Sequence, residues 1–145
     1  MDKSAVYFVI SILLSMVSCE DHQDCCLPMD SLIGTWQVYE TGYSPGGGYI
    51  VEEVPDEPAQ IMEFKSDHQF WSNRQGLDDY SYYLILEDNS KGSILALYKN
   101  ELDAENNQEI HSLSHIYVSV FKEGKVKLSF RDCVEGCHIG LKKLE

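Results

Sequence analysis

Through most of the chain, apolar and polar residues alternate over short runs. Lys125-Val126-Lys127-Leu128-Ser129-Phe130-Arg131 is the clearest. Val126, Leu128 and Phe130 share one face there, and Lys125, Lys127, Ser129 and Arg131 share the other. Period-two alternation marks a strand with one buried face. The same reading gives strands at 35–41, 60–65, 69–72, 80–86, 94–98, 110–121 and 137–144. The second half of 110–121 is apolar on both faces. Turn-forming clusters separate the strands: Ser44-Pro45-Gly46-Gly47-Gly48, Ser66-Asp67-His68, Asp88-Asn89-Ser90-Lys91-Gly92, Asn106-Asn107 and Lys122-Glu123-Gly124. The glycine run leads from strand into more strand, which makes it a hairpin loop. A helical turn is expected at 28–33, and 100–109 reads as loop or helical turn.

Strands joined by short loops make an antiparallel meander. A long meander exposes its edges unless it closes, and about eight strands close around a filled or ligand-sized interior. The expected fold is all-β: an up-and-down barrel with a short helical turn before its first strand. Aromatic residues, 11% of the chain, suit such an interior.

The first thirty residues break this pattern. The run from Ala5 to Val17 is apolar apart from Ser11 and Ser15. A dozen residues is too short to span a bilayer, which needs about twenty, but it fits the apolar region of a signal peptide. Ser15-Met16-Val17-Ser18-Cys19 resembles a bacterial lipobox, in which the cysteine thiol takes up a diacylglycerol. The expected organisation is a lipoprotein signal peptide at 1–18, a lipidated tether at 19–30 and a barrel domain at 31–145. The acidic Glu20-Asp21-His22-Gln23-Asp24 after Cys19 resembles the surface-export signal of Bacteroidetes lipoproteins. The expected location is the bacterial outer membrane, with display at the cell surface as an extension of that reading.

Charge narrows the partners. With 11 Lys+Arg against 24 Asp+Glu, the formal net charge is −13. Such a chain is repelled by phosphate backbones and lacks a polybasic membrane patch, so nucleic acid is excluded as a partner. The membrane is reached through the lipid instead.

Three segments carry a family resemblance. Leu32-Ile33-Gly34-Thr35-Trp36 entering the first strand is similar to the first lipocalin motif, whose Trp plugs the closed end of the barrel. Ile61 to Phe70 resembles a hairpin common in lipocalin-like domains, with His68 where Gly is usual. Val126 to Phe130, followed by Cys133-Val134-Glu135-Gly136-Cys137, is similar to the last hairpin of small Bacteroidetes lipocalin-like lipoproteins. The resemblance implies that Gly34 and Trp36 form a structural plug. Lipocalins also pack an Arg over that Trp. Here Arg131 falls on the outward face, and Lys142 and Lys143 are poorer substitutes.

Catalytic and metal patterns are missing. The sequence has no Gly-x-Ser-x-Gly, no His-Glu-x-x-His and no phosphate loop with its Lys. His111 and His115 on one strand lie roughly 13 Å apart at ~3.3 Å per residue, too far for one metal. His22, Cys25, Cys26, Cys133, Cys137 and His138 form a formal zinc inventory, but an oxidising envelope favours disulfides. No enzyme, cofactor or metal is expected. With Cys19 acylated, a local Cys133–Cys137 disulfide is expected across a three-residue turn, and its rival is a bridge from Cys25 or Cys26. Two functions compete. The barrel holds a small apolar ligand, with Tyr39, Tyr82, Tyr98 and Tyr117 as candidate lining. Alternatively those rings are simply core, and a filled barrel meets another envelope protein.

Overall fold

A computed structural model describes residues 31–88, 92–107, 112–121, 124–133 and 136–145. Its strands are β1 (Gly34–Tyr43), β2 (Ile50–Glu53), β3 (Ile61–Phe64), β4 (Phe70–Ser72), β5 (Tyr82–Asp88), β6 (Gly92–Tyr98), β7 (Ser112–Phe121), β8 (Lys125–Phe130) and β9 (Cys137–Lys143). One short helix, α1 (Glu101–Glu105), joins β6 to β7. Of the helical turn expected at 28–33, residues 28–30 lie outside the described residues, and 31–33 lead directly into β1.

Every pairing is antiparallel, in the order β4-β3-β1-β9-β8-β7-β6-β5. β2 and β3 share one edge of β1. Glu40 to Tyr43 pair with β2, and Gly34 to Gln37 pair with β3. Between them Val54 N donates to Tyr39 O and Val38 N donates to Gln60 O, both at 2.9 Å. The two short strands therefore act as one strand interrupted by an excursion over 55–59. β4 and β5 close the circle. Gln69 bridges Tyr82, Phe70 N donates to Ser81 O at 2.8 Å, and Tyr83 N donates to His68 O at 2.9 Å. The result is a nearly closed eight-stranded barrel, as the alternation predicts.

The inward positions form one core: Leu32, Trp36, Val38, Met62, Phe64, Phe70, Tyr83, Ile85, Leu95, Leu97, Ile116, Val118, Val126, Leu128, Ile139 and Leu141. Phe64 anchors its aromatic part, with Phe70 tilted against it at 5.1 Å and Tyr83 edge-on at 5.2 Å between centroids. A second, smaller core lies outside the barrel on β5 and β6, where Ala96 and Tyr98 pack with Tyr82, Leu84 and Leu86. α1 covers it with Ala104. The helix starts because Asn100 Oδ1 accepts from Asp103 N at 3.0 Å, a side-chain cap on a free amide. Strands with apolar residues on both faces need such a lid.

The β3–β4 turn puts His68 at φ 64°, the left-handed region that favours glycine. His68 N donates to Lys65 O at 3.1 Å and Gln69 N to Asp67 Oδ1 at 3.3 Å, so local bonds hold the turn.

Candidate functional site

Val38, Met62, Leu95, Ile116 and Leu141 have 0% of their surface accessible, and Phe64, Leu97 and Leu128 have 1%. A cavity wide enough for a ligand would show as accessible surface on these walls. Among the described residues the interior is filled by side chains, as small barrels permit.

At one end Trp36 is 2% exposed. Its Nε1–H donates to Leu32 O at 2.7 Å, and Lys143 Nζ lies 5.5 Å from its ring centroid. Gly34 sits at φ 132°, and a Cβ there would meet Lys143 Cε at 3.0 Å. Lys143 thus supplies the cation over the indole, while Arg131 is exposed.

None of the four candidate lining tyrosines is in the barrel core. Tyr98 is buried, but in the outer core, where its hydroxyl donates to Asn107 Oδ1 at 2.6 Å. Tyr82 packs in the same cluster. Tyr117 lies between the inward Ile116 and Val118 and so faces out. Tyr39 covers Gly140 under the Lys125 ammonium, 5.0 Å from its ring. The interior is instead lined mainly by aliphatic residues, with Trp36, Phe64, Phe70 and Tyr83 as its rings.

A β-bulge explains the placement of Tyr39. The β1–β9 register slips between Val38 and Glu40, so Tyr39 is an extra residue on β1. Before the bulge Trp36 and Val38 face in. After it Glu40 and Gly42 face out, because one extra residue reverses the parity of everything beyond it. That reversal builds a polar cluster on the outer face. His138, opposite Gly42 on β9, is 4% exposed. Its Nε2 meets Glu40 Oε1 at 3.1 Å, and Tyr49 Oη bonds its Nδ1. The Tyr49 ring stacks on the imidazole with centroids 5.6 Å apart. A Cβ on Gly42 would lie 2.1 Å from His138 Cε1, so only glycine leaves room for the ring.

The cluster has the order of a relay: phenol, imidazole, carboxylate. Burial first, then the Glu40 charge, push the Tyr49 phenol above its ordinary value. A carboxylate only accepts, so Nε2–H donates to Glu40, and in the neutral imidazole this leaves Nδ1 to accept from the Tyr49 hydroxyl. A nucleophilic tyrosinate is disfavoured by the same forces. What the cluster does is pin the β1–β2 hairpin onto β9. Next to it, Cys133 and Cys137 form a disulfide with Cα atoms 5.6 Å apart, holding the β8–β9 turn.

A concavity lies on the outer face across β3, β4 and the β4–β5 seam. It has a volume of about 610 Å³ and is lined by Glu63, Lys65, Gln69, Phe70, Trp71, Ser81 and Tyr82. That volume is typical of small-molecule clefts. Trp71, 51% exposed, stands in it directly across from Glu63. The sequence reading places a strand here without singling out Trp71. The signal was available, because Phe70 and Ser72 face in and the residue between them must face out.

Cys19, Cys25, Cys26, His22, His111 and the lipobox-like segment lie outside the described residues. Among the described residues no group of three His, Cys, Asp or Glu side chains could hold a metal ion. No protein-family model, curated protein or solved structure matches the chain.

Proposed function

We propose that this chain is a non-enzymatic, lipid-anchored protein of the bacterial envelope whose barrel works through its outer surface. In this reading the signal segment 1–18 is removed, Cys19 carries the lipid and 19–30 tether the barrel to the outer membrane. The apolar run ending at Cys19 supports the anchor. One observation favours outer binding over an interior apolar ligand: the core side chains from Trp36 to Leu141 have almost no accessible surface. A rigid, filled barrel is a good platform, since its outward side chains are held by strands rather than by loops.

Two measurements test the reading. Labelling with a fatty acid is expected to mark the wild type and not Cys19→Ala, and equal labelling would overturn the anchor. Native mass spectrometry of protein purified from its own host is expected to show no apolar small molecule bound at one per chain. A stoichiometric ligand of that kind would return the function to the interior.

A further inference from the structure

We propose that the outer cleft across β3, β4 and the β4–β5 seam binds a neutral saccharide, with Trp71 as the stacking platform. The site stands whether or not the chain carries a lipid, because it is built entirely from the barrel. Its floor and rim are of two kinds. Trp71 and Tyr82 present ring surface, and Trp71 has half of its indole in water. Around them are a carboxylate (Glu63), an ammonium (Lys65), an amide (Gln69) and a hydroxyl (Ser81).

These polar groups are unspent. Among the described residues, no hydrogen bond or ion pair engages the side chains of Glu63, Lys65, Gln69, Trp71 or Ser81. Donors and acceptors are both present: Trp71 Nε1–H and Lys65 give protons, Glu63 accepts, and Gln69 and Ser81 do both. A sugar ring needs this combination. Its C–H face lies on an aromatic plane and its hydroxyls need donors and acceptors at the rim.

Charge and backbone disfavour polyanions, acyl chains and strand-adding peptides. Glu63 and Lys65 offset one another, so the cleft itself favours an uncharged ligand, while the chain at −13 repels polyanions. An acyl chain would strip water from Glu63 and Lys65 and offer nothing in return. An extended peptide needs a free sheet edge, but β3–β4 are paired and the β4–β5 seam is closed by Phe70 N to Ser81 O.

Titration calorimetry and indole emission test the site with the full chain. The probes are neutral gluco-, xylo-, manno- and galacto-configured oligosaccharides at millimolar concentration. At least one is expected to bind and to change the emission of the exposed indole. Trp71→Ala is expected to weaken that binding about tenfold or more, equivalent to about 1.4 kcal/mol. Gln69→Ala should weaken it less, and Tyr49→Phe, elsewhere on the outer face, should leave it unchanged. Unfolding curves establish that each variant is folded. The proposal is overturned by no binding across the panel, or by binding that survives Trp71→Ala.

Discussion

The two tryptophans of this chain divide the molecule. Trp36 and Trp71 both lie in strands, on β1 and β4, yet one is 2% exposed and the other 51%. The Trp36 indole itself is fully engaged: Leu32 O takes its N–H, Lys143 covers its face and Gly34 lets the chain pass. Around Trp71 the rim groups have no protein partners among the described residues. The difference follows from strand parity, which sends one indole into the barrel and the other out of it. It teaches where to look for function. Satisfied groups serve the fold, and unsatisfied groups beside an exposed ring are free for a ligand.

The largest effect tests the Trp36 side. Replacing a buried indole leaves a cavity, so Trp36→Ala is expected to cost about 3–5 kcal/mol in denaturant unfolding. A cost of only a few tenths would place Trp36 among surface residues and dissolve the contrast. Next comes the bulge-built cluster. In Gly42→Ala the new methyl meets the His138 ring and must push it from Tyr49 and Glu40, at a cost of about 1–3 kcal/mol. Adding His138→Ala removes the nearest obstacle and leaves the Tyr49 hydroxyl, the end of a side chain that can swing away, so the double variant should fall short of the sum of the two single costs. Strict additivity would show that the two residues do not touch.

A smaller effect depends on pH. Asp56 accepts from Lys142 Nζ at 3.0 Å and from Gln37 Nε2 at 2.8 Å, on the outer side of β1 and β9. The Lys142 hydrogen bond first, then its charge, hold the Asp56 carboxyl below the ordinary carboxylate value, with Gln37 adding to the effect. A depressed carboxylate stabilises the fold above the ordinary value, and this contribution disappears as pH falls through the folded value. Asp56→Asn should therefore be slightly less stable than wild type at neutral pH, and the gap should close in acid below the usual carboxylate range. Because Asp56 is exposed the gap will be small, and a gap that widens in acid would contradict the pairing.

The barrel was legible in the sequence because alternation and turn chemistry repeat along the chain. Val126, Leu128 and Phe130 on β8 show the period directly, and the local Cys133–Cys137 pairing followed from a short turn between strands. The tyrosines were not legible, for two physical reasons. β5 and β6 are apolar on both faces, so alternation alone cannot say that Tyr82 and Tyr98 sit under α1 while Tyr83 and Leu97 sit inside. The bulge at Tyr39 reverses parity along β1, and nothing local in Val38-Tyr39-Glu40 announces an extra residue. The His138 cluster was hidden for the same reason, since it joins Glu40, Tyr49 and His138 across 98 residues only once the bulge turns Glu40 outward.

The smallest expected effect on stability is the sharpest test of the comparison. Trp71→Ala removes the same side chain as Trp36→Ala, from the same kind of secondary structure. Truncating an exposed ring opens no cavity, because water already occupies its outer side. Removing Trp71 Nε1–H strands no partner, because none of the described residues accepts from it. The ladder that holds β4 on β3 is backbone and stays intact. Stability should change by no more than about 0.5 kcal/mol, the range of an ordinary surface substitution. A loss approaching that of Trp36→Ala would mean that Trp71 packs against the barrel wall and that the cleft is part of the fold. A near-zero loss leaves an indole that strand parity placed in water without any structural use, and binding remains as the use for it.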